Sequence, residues 1–426
     1  MGVININEVE PGMTLAGPLK TRQGRLLLPS GAEVTEKHLK IARIWGIAEA
    51  DVMEGPQNST GNKPVPLEDL DPELKKAVNA LCKWRFACCD PEQAVIRKLM
   101  RLFRSRAVMG LSRNNVRNLV NKYHGPKAKA SLKPQLPRDF SRPDIRAVVR
   151  KQAGLVSLPD VFYRIVEVIK NPTSSAADIA DVISKDASIS SRLLRLVNSP
   201  FYGFMSRIDT LTRAVAVVGT IEISNLTMGI SVTSSFKNIP FDFLDMNDFW
   251  EHSIAVGVVA RILATLNGAP SLEKVFVGGL LHDIGRLTLF CNYPELSRNM
   301  LTWHVARPIS LNMLEQKIFG FSHAGLGGRL LKEWKVPEGL CNMVDNHHAF
   351  HKSTDSLDVL FVKAADVIAH TLGYGHSGTR RVPPLTDQEW DKTGLSVNIL
   401  PDVASQAQNQ IQDLKNIIIK EHNHAA

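Results

Sequence analysis

The most informative stretch of this chain of 426 residues is Gly278-Gly279-Leu280-Leu281-His282-Asp283-Ile284-Gly285-Arg286. The apolar residues around it recur at helical spacing and predict a helix over about 273–290. Adjacent His and Asp on a helix point about 100° apart, so both can reach one ion only at a seam that other helices also supply. Arg286 lies one turn beyond His282, where a guanidinium could bind phosphate oxygens. The stretch predicts a polar site inside a helical bundle.

Further residues of metal-ligand type occur on other predicted helices, and these are His252, His323, His347, His348 and Asp366. Imidazole suits transition metals, and carboxylates add charge. Each histidine taken alone could equally be a satisfied, partly buried core side chain. Histidine–metal bonds of about 2.0–2.1 Å require the ring nitrogens to meet at one point, so convergence of the side chains is the test.

Amphipathic helical patterns continue almost without interruption through the second half of the chain. They are expected at about 211–235, 248–267, 273–290, 312–333, 337–349 and 357–371. No alternation of strands with helices appears there. The chain is therefore predicted to be mainly α, with one all-helical domain of two helical subdomains and no β-sheet inside 150–375.

Composition shifts divide the rest of the chain. The first 55 residues are expected to form a small β-rich module, because turn signals at Gly24 and Ser30-Gly31 bracket the apolar run Leu26-Leu27-Leu28. The predicted divisions are the module at 1–55, a basic helical segment at 69–125, a linker at 126–149, the helical domain at 150–375 and a C-terminal loop and helix at 376–426.

The net charge of +9 is concentrated in one segment. Residues 83–151 contain 18 Lys and Arg against 4 Asp and Glu, so their net charge is +14. One hypothesis is a binder of nucleic acid or an anionic surface. No zinc finger, helix-turn-helix or repeat of basic and aromatic residues accompanies the charge, however. We therefore favour a solvated helix face and a flexible linker, and we expect no nucleic-acid partner.

The sequence also bears on the compartment. The N-terminus has no basic stretch followed by an apolar run, and no run reaches 18 apolar residues, so we expect neither a secretory signal nor a membrane span. Five cysteines form no framework and fit reduced thiols. Cys82, Cys88 and Cys89 lack a second ligand pair for zinc and are interpreted as ordinary thiols. We expect a cytoplasmic protein.

The order of these histidines and aspartates resembles that of the HD superfamily of metal-dependent phosphohydrolases. Around the motif, the chain is most similar to the HDOD domain, a relative of the HD-GYP domain of bacterial signalling proteins. The likeness covers about 150–375 and is carried by residues 155–159, 183–186, 193–203, 213–219, 249–253, 278–285, 319–324, 334–337 and 347–348. Residues 1–55 are similar to a small module that precedes some HD-GYP proteins.

The resemblance implies a metal centre with one or two divalent transition-metal ions, such as Fe, Mn, Zn or Ni. A first ion would be held by His252, His282, Asp283 and Asp366, with Asp283 bridging to a second ion that His323, His347 and His348 complete. Some relatives place a further carboxylate where Asp248 stands. If the protein is an enzyme, Asp283 and Arg286 are the expected catalytic residues.

One departure from the HD-GYP pattern affects the expected function. HD-GYP enzymes follow the double histidine with an acidic residue and a Gly-Tyr-Pro loop, whereas Ala349 follows here and Gly373-Tyr374-Gly375 lacks the proline. A typical HD-GYP phosphodiesterase is therefore not expected. The leading hypothesis is a bacterial regulatory protein whose HDOD domain binds a signalling protein. The alternative is a metal-dependent phosphohydrolase acting on a nucleotide or another phosphate ester.

Overall fold

The computed structural model describes residues 2–53, 72–109, 141–348 and 356–419, with short gaps inside the first and third ranges. The N-terminal module contains four short strands, which are β1 (Gly2–Asn5), β2 (Leu19–Lys20), β3 (Leu26–Leu28) and β4 (Glu49–Val52). β1 pairs with β4 and β2 pairs with β3, both antiparallel, with Val3 opposite Asp51. Leu15, Val34 and Ala42 are among the buried residues of a small core that this module has to itself.

The remaining described chain is helical. Its first helices are α1 (Pro72–Arg85), α2 (Ala94–Met109), α3 (Ile145–Leu155), α4 (Asp160–Lys170), α5 (Ala176–Ser184), α6 (Ala187–Val197), α7 (Leu211–Val218) and α8 (Thr220–Ser235). They are followed by α9 (Met246–Asn267), α10 (Leu272–Leu281), α11 (Ile284–Asn292), α12 (Pro294–Ala306), α13 (Leu311–Phe319), α14 (His323–Glu333), α15 (Glu338–Asn346), α16 (Leu357–Leu372), α17 (Asp387–Asp391) and α18 (Leu400–Ile418). No strand occurs among the described residues of 150–375, so the prediction of a mainly helical protein behind a few N-terminal strands is confirmed.

Local signals determine where several helices begin and break. Ser175 and Asp178 form a capping box at the start of α5, each side chain accepting a bond from the other residue's backbone N–H. The expected continuous helix over 211–235 is wrong. Gly219 has a φ of 115° and separates α7 from α8, which are bent by 118°.

The expected continuous helix over 273–290 is also wrong. α10 ends at Leu281, α11 begins at Ile284, and His282 and Asp283 form the turn between them. A Cβ added to Gly285 would lie 2.0 Å from the carbonyl oxygen of His323, so the backbones of α11 and α14 are in direct contact. A change of helix direction at the motif accommodates this contact. It also allows the adjacent side chains of His282 and Asp283, which would point about 100° apart on a straight helix, to face the same seam between helices.

α9 is the central helix of the domain. It packs against α10, α16 and α18, and most of its residues are buried. In the part of the chain that the structure describes, α9 is the one helix long and apolar enough to cross a membrane. The bent pair of α7 and α8 meets the same criteria of length and composition only if the two helices are counted as one span. Within α9, 78% of the most apolar window is buried in the protein. Burial on all sides accounts for a helix that is apolar all round.

The core of the helical domain extends beyond the 150–375 region. Leu81, Leu99 and Phe103 from α1 and α2 belong to the same buried cluster as the later helices. α2 packs against α16 and α18.

Part of the basic face of α2 lies against the C-terminal chain. Lys98 donates to the Asn398 side chain at 3.2 Å, and Arg106 donates to Gln408 at 3.3 Å. Arg97 and Arg101 are exposed. Residues 110–140, which carry much of the remaining basic segment and of the expected linker, lie outside the described residues.

Candidate metal centre

Two groups of side chains meet in the interior of the helical domain. The first group is His252 on α9, His282 at the turn between α10 and α11, and Asp366 on α16. The second group is Asp283, His323, His347 and His348. In each group, one potential ligand atom per residue lies within 4.8 Å of all the others. The structure therefore brings together all seven residues for which a metal-ligand role was expected.

Asp283 faces both groups. Its Oδ2 lies 3.1 Å from His282 Nε2 and 4.0 Å from His252 Nε2. Its Oδ1 lies 3.0 Å from His323 Nε2 and 3.8 Å from His347 Nε2. A carboxylate that directs one oxygen toward each group can bridge two metal ions.

Several atoms at the centre are buried without a hydrogen-bond partner among the described residues. They are both ring nitrogens of His252, Nε2 of His282, Oδ1 of Asp283 and Oδ1 of Asp366. Each unsatisfied buried polar atom costs about 1–3 kcal/mol. His252 Nε2 and Asp366 Oδ1 lie 3.2 Å apart. Imidazole and carboxylate donors with this arrangement fit a divalent metal ion.

Neighbouring acceptors orient the imidazole rings. His282 Nδ1 lies 2.7 Å from the Gly279 carbonyl oxygen, and His347 Nδ1 lies 2.8 Å from the Val344 carbonyl oxygen. His323 Nδ1 contacts the Glu315 carboxylate, which also accepts a bond from the His323 backbone N–H at 2.8 Å. A proton held on Nδ1 leaves the Nε2 lone pair directed at the centre, as in metal-binding histidines.

The carboxylates of the centre are ionised. Burial alone would raise the pKa of Asp283, but the Arg286 guanidinium and His282 hold it well below its ordinary value. Burial also opposes ionisation of Asp366, yet His370 and His252 hold its pKa well below the ordinary value. Both residues therefore present the charged form that a metal ion needs.

The histidines divide into two kinds. Burial lowers the pKa of His347 and His348 far below the ordinary value, so these rings are neutral. Burial also opposes protonation of His282 and His323, but nearby carboxylates, Asp283 above all for His282, raise their pKa overall. Protons therefore compete with a metal ion at His282 and His323 more than at the other two.

Arg286 and Asp248 lie differently from the expected positions. Arg286 follows Asp283 by three residues and donates a hydrogen bond to its Oδ2 at 2.8 Å. Asp248 is outside both groups, with its carboxylate 3.4 Å from His376 Nε2. The pKa of Asp248 is lowered, chiefly by its interaction with His376.

Three residues at the centre were not identified from the sequence. His370 Nε2 lies 3.3 Å from Asp366 Oδ1, and its spacing of four from Asp366 on one helix could have indicated it. Glu315 binds His323, and its Oε1 lies 3.5 Å from Arg286 Nε. The Ser377 hydroxyl accepts a hydrogen bond from Arg286. Neither Glu315 nor Ser377 has a local sequence signal, because only the fold brings them near the motif.

Several known proteins are similar to this helical domain in sequence or in structure. A protein from Treponema pallidum (strain Nichols), described only as uncharacterised, is 28% identical over 192 residues, which are 45% of this chain and 37% of that protein. The match therefore spans little more than a third of the curated relative's length. The structure of an HDOD domain protein of unknown function from Geobacter sulfurreducens is similar with a TM-score of 0.52 and 23% identity, over 64% of this chain and 98% of that chain. A Shewanella amazonensis SB2B protein, named as a candidate phosphohydrolase, has a TM-score of 0.49 and 20% identity over 64% and 98% of the two chains.

Residues 155–350 match the family model of the HDOD domain. Asp366, His370 and Ser377 lie beyond the matched residues, although they reach the same centre. The Geobacter likeness is too distant in sequence to show more than a common fold. The family match and the helical architecture agree, and the chain therefore carries an HDOD domain over residues 155–350.

Proposed function

We propose that this chain is a bacterial signalling protein whose HDOD domain holds one or two divalent transition-metal ions and acts through a protein partner in the cytoplasm. His252, His282, Asp283 and Asp366 would hold one ion. His323, His347 and His348 would hold a second ion together with Asp283. The observation that carries the proposal is the convergence of buried ligand atoms that lack hydrogen-bond partners.

The closed environment of the centre favours regulation over turnover. The side chains of His252, His282, Asp283 and His323 are at most 1% exposed, and that of Asp366 is 4% exposed. Arg286 is already bound by Asp283 and Ser377. A phosphate ester would have to displace these contacts before it could use the guanidinium. The HDOD family resemblance supports a protein as the partner.

A metal-dependent phosphohydrolase is the second candidate. It is favoured by a cavity of about 70 Å³ that Asp366, His348 and Arg286 line. A bound divalent ion supplies Lewis acidity and lowers the pKa of water to about 7. In this role Arg286 would bind phosphate oxygens, and Asp283 would orient Arg286. The substrate class would be a nucleotide or another phosphate ester.

Metal content of the purified full-length chain tests the proposed centre. After loading with Fe, Mn, Zn or Ni, we expect about one or two ions per chain by plasma mass spectrometry. Asp283→Ala should lower the affinity at least about tenfold, because it removes the oxygens that face both groups. Asp248→Asn is the matched control and should retain the parent metal content. A parent chain that binds none of the four metals would contradict the proposal.

Turnover separates the two candidate functions. The metal-loaded chain is assayed against a panel of linear and cyclic nucleotides. Little or no hydrolysis is the expected result for the regulatory protein. Metal-dependent hydrolysis that Asp283→Ala abolishes would establish the phosphohydrolase instead.

A further inference from the structure

Arg381 is a buried cation without a carboxylate counter-ion in the described part of the chain. Only 5% of the surface of Arg381 is exposed to solvent. Its Nη2 donates to the Val305 carbonyl oxygen at 3.1 Å, and its guanidinium lies 4.9 Å from the centre of the Trp84 ring. Its Nε has no hydrogen-bond partner among the residues that the structure describes. A buried charge is unfavourable unless it is paired, so this guanidinium needs an anion.

Neighbouring groups do not supply that anion. Cys88 is adjacent, but burial raises the pKa of its thiol above the ordinary value even though Arg381 lowers it, so the thiol is neutral at pH 7. His304 is also buried, and its pKa is lowered to about 4, so it carries no charge at that pH. Two carboxylates beside the other cations of the cavity already have partners, since Glu389 binds Lys363 at 2.6 Å and Asp283 binds Arg286 at 2.8 Å.

Arg381 lines the cavity of about 70 Å³ that reaches Asp366. The other polar residues on its wall include Arg286, Lys363, Thr379 and Asn312. The Oδ1 atom of Asn312 is buried and, like Arg381 Nε, has no hydrogen-bond partner in the described ranges of the chain. A water molecule needs only about 10–15 Å³ of such space, so the cavity can hold a group of several atoms.

We propose that this cavity binds a phosphoryl group through the guanidinium of Arg381. A planar guanidinium with an unpartnered N–H matches phosphate oxygens. Arg286 and Lys363 on the same wall are already paired with carboxylates, so Arg381 is the cation that an anion in the cavity would neutralise. Arg381 lies outside both metal-ligand groups and outside the HDOD match, whereas Asp366 and His348 of the metal centre line the same cavity. The proposal therefore deepens the second candidate function by adding a phosphate-binding residue to it. The phosphoryl group belongs either to free phosphate or to a phosphate monoester that enters from solvent.

The experiment measures binding of inorganic phosphate to the full-length chain by calorimetry and by the rise in melting temperature, at constant ionic strength. Arg381→Met removes the charge and keeps much of the side-chain volume. Arg381→Lys keeps the positive charge but lacks the planar guanidinium with its several N–H donors. Arg380→Met is the matched control, because the adjacent Arg380 lies near Asp248 and His376 instead of this cavity.

We expect phosphate to stabilise the parent chain and the Arg380→Met control alike. Arg381→Met should weaken phosphate binding by at least about tenfold, and Arg381→Lys should have an intermediate effect. Without phosphate, Arg381→Met should melt at or above the parent temperature, because it removes an uncompensated buried charge. An arginine with a purely structural role would instead make this variant melt lower with and without phosphate, which would overturn the proposal.

A second arm identifies the source of the phosphoryl group. If a nucleoside 5′-monophosphate competes with phosphate and loses its binding in Arg381→Met, the ligand is a monoester; if only phosphate binds, the ligand is the inorganic ion. Equal phosphate binding by the parent and Arg381→Met would refute the site. Metal content measured on the same samples separates this result from the proposed function, since Arg381→Met should keep the parent metal content.

Discussion

At the scale of the single residue, His304 shows how burial affects stability. Its Nδ1 lies 2.8 Å from the Ile309 carbonyl oxygen, and its Nε2 contacts the Thr379 hydroxyl. Burial is the main cause that lowers its pKa from 6.5 to about 4. The unfolded chain therefore binds a proton at higher pH than the folded chain does. The resulting stability is fully present above pH ~6.5 and is lost as the pH falls toward ~4.

His304→Asn tests this linkage, because asparagine keeps a donor for Ile309 and does not titrate. Between pH 7 and pH 5 the parent should lose about 2 kcal/mol more free energy of unfolding than the variant does. Urea denaturation at the two pH values measures the difference, and the other buried histidines contribute to both chains. If the free energy of unfolding depended on pH identically in the parent and in His304→Asn, the lowered pKa of His304 would be contradicted.

At the scale of the element, the contact between α11 and α14 positions the motif. Gly285 allows the two backbones to touch, since an added Cβ would lie 2.0 Å from His323 O and 2.7 Å from Gly327 N. Gly285→Ala should therefore push the helices apart and destabilise the fold by about 3 kcal/mol. Because α14 carries His323, metal binding should weaken as well. Chemical denaturation and metal content of the variant measure the two effects.

Gly154→Ala is the matched control for that substitution. Gly154 lies near the end of α3, and an added Cβ would meet no atom within 4 Å. Alanine should stabilise this helix by up to ~1 kcal/mol. If both alanine variants were as stable as the parent, the close contact between α11 and α14 would not hold.

At the scale of the whole molecule, the two hydrophobic cores are formed by different parts of the chain. The N-terminal module buries its own cluster, whereas Leu81, Leu99 and Phe103 are part of the main helical core. Arg85 of α1 also donates from Nε to the His370 carbonyl oxygen at 3.1 Å, next to the metal centre. Removal of residues 1–71 should therefore leave the melting temperature of the helical part almost unchanged. Removal of residues 1–140 should lower it strongly, because apolar surface would be exposed at about 25 cal/mol per Å².

Scanning calorimetry of the two truncated chains measures this difference. Similar melting temperatures for both truncations would mean that α1 and α2 contribute little to the core. They would also support the expected separation of segment 69–125 from the domain at 150–375.

The sequence by itself determined the helical class and the approximate positions of most helices, because hydrophobic periodicity is a local property of the chain. The order of the histidines and aspartates also indicated the resemblance to the HD superfamily and its candidate ligands, and the stretches around the motif indicated the HDOD resemblance. His370 was within reach of the same reasoning, since it follows Asp366 by one turn on α16.

Only the tertiary structure decided what depends on contacts between distant residues. The break at His282 and Asp283 lies next to the close approach of α11 to α14, which joins residues distant in sequence. Glu315 and Ser377 come near the motif only through folding, and Arg381 is recognised as uncompensated only when its surroundings are known. Arg85 and His370 are 285 residues apart in sequence and still share a hydrogen bond. Burial and pairing are set by neighbours in space, so the sequence pattern alone cannot specify them.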